Sequence, residues 1–182
     1  MPRVNFVKTA AKDYPDVGIR KGDSYYWWKF RFGGKHKSKT HPRPSQLTQS
    51  EFLSTQLSIG ERIDGLSSNT FEELEMEVDE IVSEIRQLGE EQSDKLDNMP
   101  DSLQESPTGE LLQGRYEACE EWADTLESVD LDVKKPDISD IEDSDLAVDQ
   151  TKEQKLEELQ DEYQQQLSNI MVELQGCQYE GE

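Results

Sequence analysis

Thr70-Phe-Glu-Glu-Leu-Glu-Met-Glu-Val-Asp-Glu-Ile-Val-Ser-Glu-Ile-Arg-Gln-Leu88 is the stretch that decides the fold. Phe71, Leu74, Val78, Ile81, Ile85 and Leu88 recur at alternating steps of three and four. That period gathers side chains on one face of an α-helix. The intervening residues are largely acidic, so the segment predicts a heptad-patterned helix with an apolar seam and a charged outer surface. Thr70 followed by Glu73 supplies a capping-box start.

Toward the C-terminus, residues 89–107 are polar and contain Pro100 and Pro107, which reads as a loop or a frayed helix end. A further helix is expected from Pro107, since proline suits a first helical turn. Its stripe is Leu112, Tyr116, Cys119, Ala123 and Leu126, with Trp122 alongside. Residues 129–150 carry eight acidic side chains and Pro136, the composition of a disordered acidic linker. Thr151 and Gln154 form a second capping signature before a last helix striped by Leu156, Leu159, Tyr163, Leu167, Ile170, Leu174 and Cys177. No internal period marks a repeat architecture.

Toward the N-terminus, Thr48 and Glu51 offer another capping box, ahead of Phe52, Leu53, Leu57, Ile59 and Ile63. Gly60 weakens this helix, and Gly65 stands near its end. Before Pro42 the chemistry changes. Residues 24–32 read Ser-Tyr-Tyr-Trp-Trp-Lys-Phe-Arg-Phe, followed by Gly33-Gly34 and then Lys35-His36-Lys37-Ser38-Lys39. Aromatic β-formers on either side of Gly-Gly predict a β-hairpin with a two-residue turn. Such a turn would pair Phe32 with Lys35, Phe30 with Lys37 and Trp28 with Lys39. An aromatic face of Tyr26, Trp28, Phe30 and Phe32 would then be fringed by lysines, with Tyr25, Trp27, Lys29 and Arg31 opposite. A lone hairpin is marginal in water. Trp28, Phe30 and Phe32 are therefore assigned to a small core, covered by Val4, Phe6 or a helix. Residues 1–21 read as an extended lead-in with at most one short strand.

The expected fold class is α+β and mostly α: a short N-terminal β-hairpin followed by long acidic helices in a bundle or coiled coil. The expected divisions are a basic aromatic module at 1–45, an acidic helical segment at 46–128, the linker at 129–150 and an amphipathic helix at 151–178. Charge follows the same division. Residues 1–45 hold 11 Lys or Arg against 3 Asp or Glu, whereas residues 46–182 hold 8 against 38. Hydrophobic residues make up only 32% of the 182, below the roughly 45–50% of ordinary domains. The core must be thin, because each ordered residue costs about 1–2 kcal/mol of backbone entropy. Cys119 and Cys177 form no disulfide framework, which fits a reduced cytoplasmic compartment. Neither a signal peptide nor a membrane span is expected.

Lysines beside aromatic side chains point to nucleic acid, since cations neutralise phosphates and rings stack on bases. The candidate nucleic-acid or partner contacts are Tyr25, Trp27, Lys29, Arg31, Lys35, Lys37 and Lys39. Glu73, Glu77 and Glu80 are the candidate acidic surface for a protein partner. Cofactors and metals are not expected: His36 and His41 lie in the basic stretch without a cysteine in ligand spacing, and Gly33-Gly34 is not a phosphate loop. The two cysteines sit on apolar stripes, so packing outweighs nucleophilic chemistry. A non-enzymatic binding or regulatory protein follows. Two alternatives share the sequence evidence: an acidic DNA mimic that blocks a DNA-binding protein, and a coiled-coil scaffold assembling through its seams.

The stretch Ser24 to Thr40, with its core Tyr25-Tyr-Trp-Trp-Lys-Phe-Arg-Phe-Gly-Gly-Lys35, resembles the aromatic-basic hairpins that open the arm-type DNA-binding domains of tyrosine recombinases. The likeness covers fewer than 20 residues, and no recombinase catalytic domain follows it. It implies DNA contact through the hairpin. The chain as a whole is similar to small tailed-bacteriophage proteins, which implies a host cytoplasm as its setting.

Overall fold

The computed structural model describes residues 1–142, 145–147 and 151–181. The fold is α+β and mostly α. Among these residues three short strands, β1 (Asn5–Val7), β2 (Tyr25–Lys29) and β3 (Lys35–Ser38), precede five helices. These are α1 (Glu51–Ile63), α2 (Phe71–Asp97), α3 (Asp101–Gln104), α4 (Pro107–Glu127) and α5 (Lys152–Gly176). Short 3-10 turns lie at Pro15–Val17, Pro44–Leu47 and Ile138–Asp140. The chain forms two compact units, Met1–Ser58 and Ile59–Glu182, and the division falls within α1.

The first unit is built on an antiparallel sheet in the order β1-β2-β3. Its buried apolar residues are Ala10, Ile19, Trp28 and Phe52. Asn5 faces Trp27 and Val7 faces Tyr25 across β1 and β2. Across β2 and β3, Tyr26 faces Ser38, Trp27 faces Lys37, Trp28 faces His36 and Lys29 faces Lys35. This register corrects the expected one. The turn is not Gly33-Gly34 alone; residues 30–34 all lie between the last paired residues, with Gly33 at φ 132°. That backbone conformation is open to glycine and costly for other residues. Gln49 Nε2 donates to Phe32 O at 3.0 Å, which ties the loop down. Phe32 is therefore not core: it is 74% exposed, and Phe6 is 58% exposed. The lead-in is also more structured than expected. Tyr14 and Ile19 form an isolated bridge around a Pro-Asp-Val turn closed by Gly18 in the left-handed region.

The second unit rests on the seam read from the sequence. Phe71, Leu74, Val78, Ile81, Ile85 and Leu88 are all buried, joined by Val82. α2 runs on through the expected loop to Asp97 and buries Gly89 and Gln92. The reason is α4, which folds back antiparallel and covers this extra length. A Cβ on Gly89 would stand 3.0 Å from Cys119 Cβ, so the two helices come very close there. Arg86 spans the same seam on its solvent side, pairing with Glu120, Asp124 and Glu127.

Helix starts vary in how closely they follow the sequence signals. α5 has the full capping box between Thr151 and Gln154. At α2, Glu73 N–H donates to Thr70 Oγ1 at 3.2 Å, but the Glu73 carboxylate accepts from Asn69 N–H instead of Thr70. At α1, Glu51 is the first helical residue, and Ser50 Oγ accepts from Leu53 N–H in the place expected of Thr48. α5 is fastened by Tyr163, whose hydroxyl accepts from Phe71 N–H at 2.9 Å while its ring meets Phe71 edge-on. Trp122 Nε1 donates to Cys177 O at 3.0 Å, just past the end of α5. Of the expected acidic linker, residues 143–144 and 148–150 lie outside the described residues. Among the described residues no helix is long and apolar enough to cross a membrane.

Ile85 is fully buried, so Ile85→Ala should cost about 2–5 kcal/mol, read as a lower urea midpoint of the helical signal. The thiols should also separate by reactivity. Burial pushes Cys119 up to about 11, leaving almost no thiolate at pH 8, while Cys177 is only half-buried. Iodoacetamide at that pH should label Cys177 in native protein and Cys119 only after denaturation, with mass spectrometry of peptides as the readout.

Candidate nucleic-acid interface

Residues directly opposite in an antiparallel pair project to the same face, and faces alternate along each strand. The observed register therefore sorts the sheet completely. Phe6, Tyr26 and Ser38 share one face with Trp28 and His36. Val7, Tyr25, Asn5, Trp27, Lys37, Lys29 and Lys35 share the other. The first face is the structural one. Trp28 is 4% exposed and stacks on His36 with centroids 5.5 Å apart, and Phe30 meets His36 edge-on. Tyr26 contacts Phe6 and His41. Both histidines are thus occupied by ring packing; His41 Nδ1 also lies 3.0 Å from Pro42 O.

The second face carries the chemistry. Lys35 Nζ lies 4.3 Å from the centre of the Trp27 ring. Lys37 Nζ lies 4.4 Å from the Tyr14 ring, with Lys12 Nζ at 5.7 Å from the same ring. Tyr14 stands beside Tyr25, centroids 5.6 Å apart. The hydrogen bond to Tyr14 and partial desolvation hold the Tyr25 phenol above its ordinary pKa, so that phenol stays neutral near pH 7. Trp27 and Tyr25 are half-buried, which leaves part of each ring in contact with solvent.

Lys29 faces Lys35 directly. Like charges opposite one another destabilise a sheet by about 0.2–1 kcal/mol. Among the described residues neither lysine has an acidic partner. The sheet therefore holds an uncompensated pair of positive charges beside an aromatic surface, which is the arrangement that an anionic ligand with flat rings would relieve.

Of the residues singled out from sequence, the structure brings together Tyr25, Trp27, Lys29, Lys35 and Lys37. Arg31 is in the loop, its guanidinium 5.4 Å from the exposed Phe32 ring. Lys39 lies beyond β3 and pairs with Asp23 at 3.4 Å. Asp23 is held below the ordinary carboxylate range mainly by the Arg20 N–H, with Lys39 adding to the effect. Tyr14 and Lys12 belong to the face but were missed. The signal that could have found them is Tyr14-Pro-Asp-Val-Gly18, a proline-led turn closed by glycine that folds the lead-in back on itself.

The acidic candidates have local work. Glu73 accepts from Asn69 N–H, Glu77 from Ser68 Oγ at 3.2 Å, and Glu80 pairs with Arg62. Comparison of the chain with protein-family models, with curated proteins and with solved structures gives no match.

The two neighbouring tryptophans should respond oppositely to truncation. Trp28→Ala removes a buried ring and should cost about 3–5 kcal/mol, collapsing the near-ultraviolet circular dichroism of the aromatic unit. Trp27→Ala removes a half-exposed one and should leave that spectrum's thermal midpoint nearly unchanged.

Proposed function

We propose that this protein is a non-enzymatic binding protein that contacts nucleic acid through the Tyr14, Tyr25 and Trp27 face of its small sheet. The observation that carries the reading is the observed register, which puts Lys29, Lys35 and Lys37 on the same face as Trp27. Phosphates meet the lysines and bases stack on the rings, a combination that tolerates many sequences. The acidic helical unit we assign to protein contact, through exposed carboxylates such as Glu72, Glu75 and Asp79. Glu73, Glu77 and Glu80 are less suited to that task, being engaged within the unit. Two free cysteines suit a reducing compartment, the cytoplasm.

The formal net charge of −22 opposes binding at long range. At physiological ionic strength the Debye length is about 8 Å, so local contacts decide the outcome once the strand is docked. Three lysines on phosphates correspond to a slope of log K against log salt of roughly −2 for a single strand.

Fluorescence anisotropy of the full chain with labelled oligonucleotides should show that slope. Lys29→Glu should lower affinity several-fold and flatten the slope by about one. The same substitution places opposite charges across from one another and should raise stability by about 0.2–1 kcal/mol. Undiminished affinity in a folded Lys29→Glu protein would overturn the reading.

A further inference from the structure

A cleft of about 470 Å³ runs along the outer edge of β3. Its size falls within the range of ordinary small-molecule sites. The Pro15–Val17 turn contributes Asp16, the Pro44–Leu47 turn contributes Gln46, and β3 contributes Lys35, His36 and Lys37. Tyr14 and Trp28 supply aromatic wall. All of these residues belong to the first unit.

We propose that this cleft takes one nucleotide of a single strand, with its base inside and its phosphate against Lys35 and Lys37. The proposal rests on the nucleic-acid reading above and adds the kind of ligand and the residues that read it. Three features favour a base over a bare phosphate. The walls are aromatic, which suits a flat ring. Asp16 lies among them, and among the described residues no hydrogen bond or ion pair engages its carboxylate. A carboxylate would repel phosphate but accepts from a base amine. Gln46 has its Oε1 held by Arg43 N–H at 3.0 Å, so its NH₂ is the end with hydrogen bonds to give, and a base carbonyl accepts from it. Beside the cleft, Trp28 Nε1 is a buried donor that finds no acceptor among the described residues, and it would serve a base carbonyl or a phosphate oxygen alike. Buried polar groups rarely go unpaired in a finished structure.

A base held in a duplex stack cannot enter such a cleft, so the site selects unpaired strands. Asp16 and Gln46 together prefer a base that carries an amine and a carbonyl on its pairing edge. Cytosine does so, while thymine presents carbonyls and a single ring N–H. The two lysines face the cleft rim as well as the Trp27 face, so one strand can lay its backbone along β3, place one base in the cleft and stack its neighbour on Trp27.

The test uses full-length protein at one fixed salt concentration, with four labelled probes: oligo-dC, oligo-dT, a duplex, and an abasic sugar-phosphate strand of equal length. Oligo-dC should bind tightest, preferred over oligo-dT by about fivefold, the size of one good base-edge contact. Asp16→Asn should erase that preference while leaving the salt slope unchanged, because it touches no phosphate contact. Lys35→Ala should weaken all four probes and flatten the slope. Equal binding of oligo-dC, duplex and abasic strand would overturn the cleft and leave the lysine face standing. So would an unaltered dC preference in Asp16→Asn. Absence of salt-sensitive binding to any of the four would remove the parent reading and the cleft together.

Discussion

Trp27 stands across from Lys37, and Lys29 across from Lys35, because the connection between β2 and β3 takes five residues and not two. Strand side chains alternate with a period of two, so an odd shift in pairing transfers every β3 side chain to the other face. With a Gly33-Gly34 turn the lysines would have ringed Trp28, whose indole is buried, and Trp27 would have faced Thr40, with Ser38 and His36 on its side of the sheet. The observed pairing separates the two jobs. One face packs Trp28, His36 and Phe30 against each other; the other keeps cations and half-open rings together. The basic aromatic face is thus a product of loop length before it is a product of composition.

The acidic unit answers to a different constraint. With so little apolar material, its stability depends on one long seam, and α4 and α5 are placed by what they add to it. Its ion pairs are used sparingly. Eight basic residues serve 38 acidic ones across residues 46–182, and Arg62 and Arg86 between them hold five carboxylates at the helix surfaces. Others, such as Glu72, Glu75 and Asp79, are exposed to water. Such a surface repels other acidic surfaces and nucleic acid alike.

Much of this was legible in residue order. The α2 seam, the proline start of α4 and the Thr151 cap of α5 all follow from local rules, because helices are stabilised by neighbours three and four residues away. The hairpin was legible as an element and not as a register, since Gly-Gly fits both a two-residue turn and the end of a longer loop. The longer loop is held by Gln49 donating to Phe32 O, a contact 17 residues apart. The extension of α2 past Leu88 was hidden for a similar reason. Residues 89–97 are polar by themselves, and only the returning α4 gives Gly89 and Gln92 a buried face. Tyr14 joined the interface through a turn that reads, in one dimension, like an unstructured lead-in.

The close approach at Gly89 carries a consequence for how this chain can vary over time. A methyl group there would stand 3.0 Å from Cys119 Cβ, so the neighbouring side chain would have to give by a few tenths of an ångström, while Glu90 and Glu91 beside it are exposed. Substitution should therefore be constrained at one position and nearly free at the next two. A lineage could change its acidic surface extensively while the α2–α4 hairpin kept its shape.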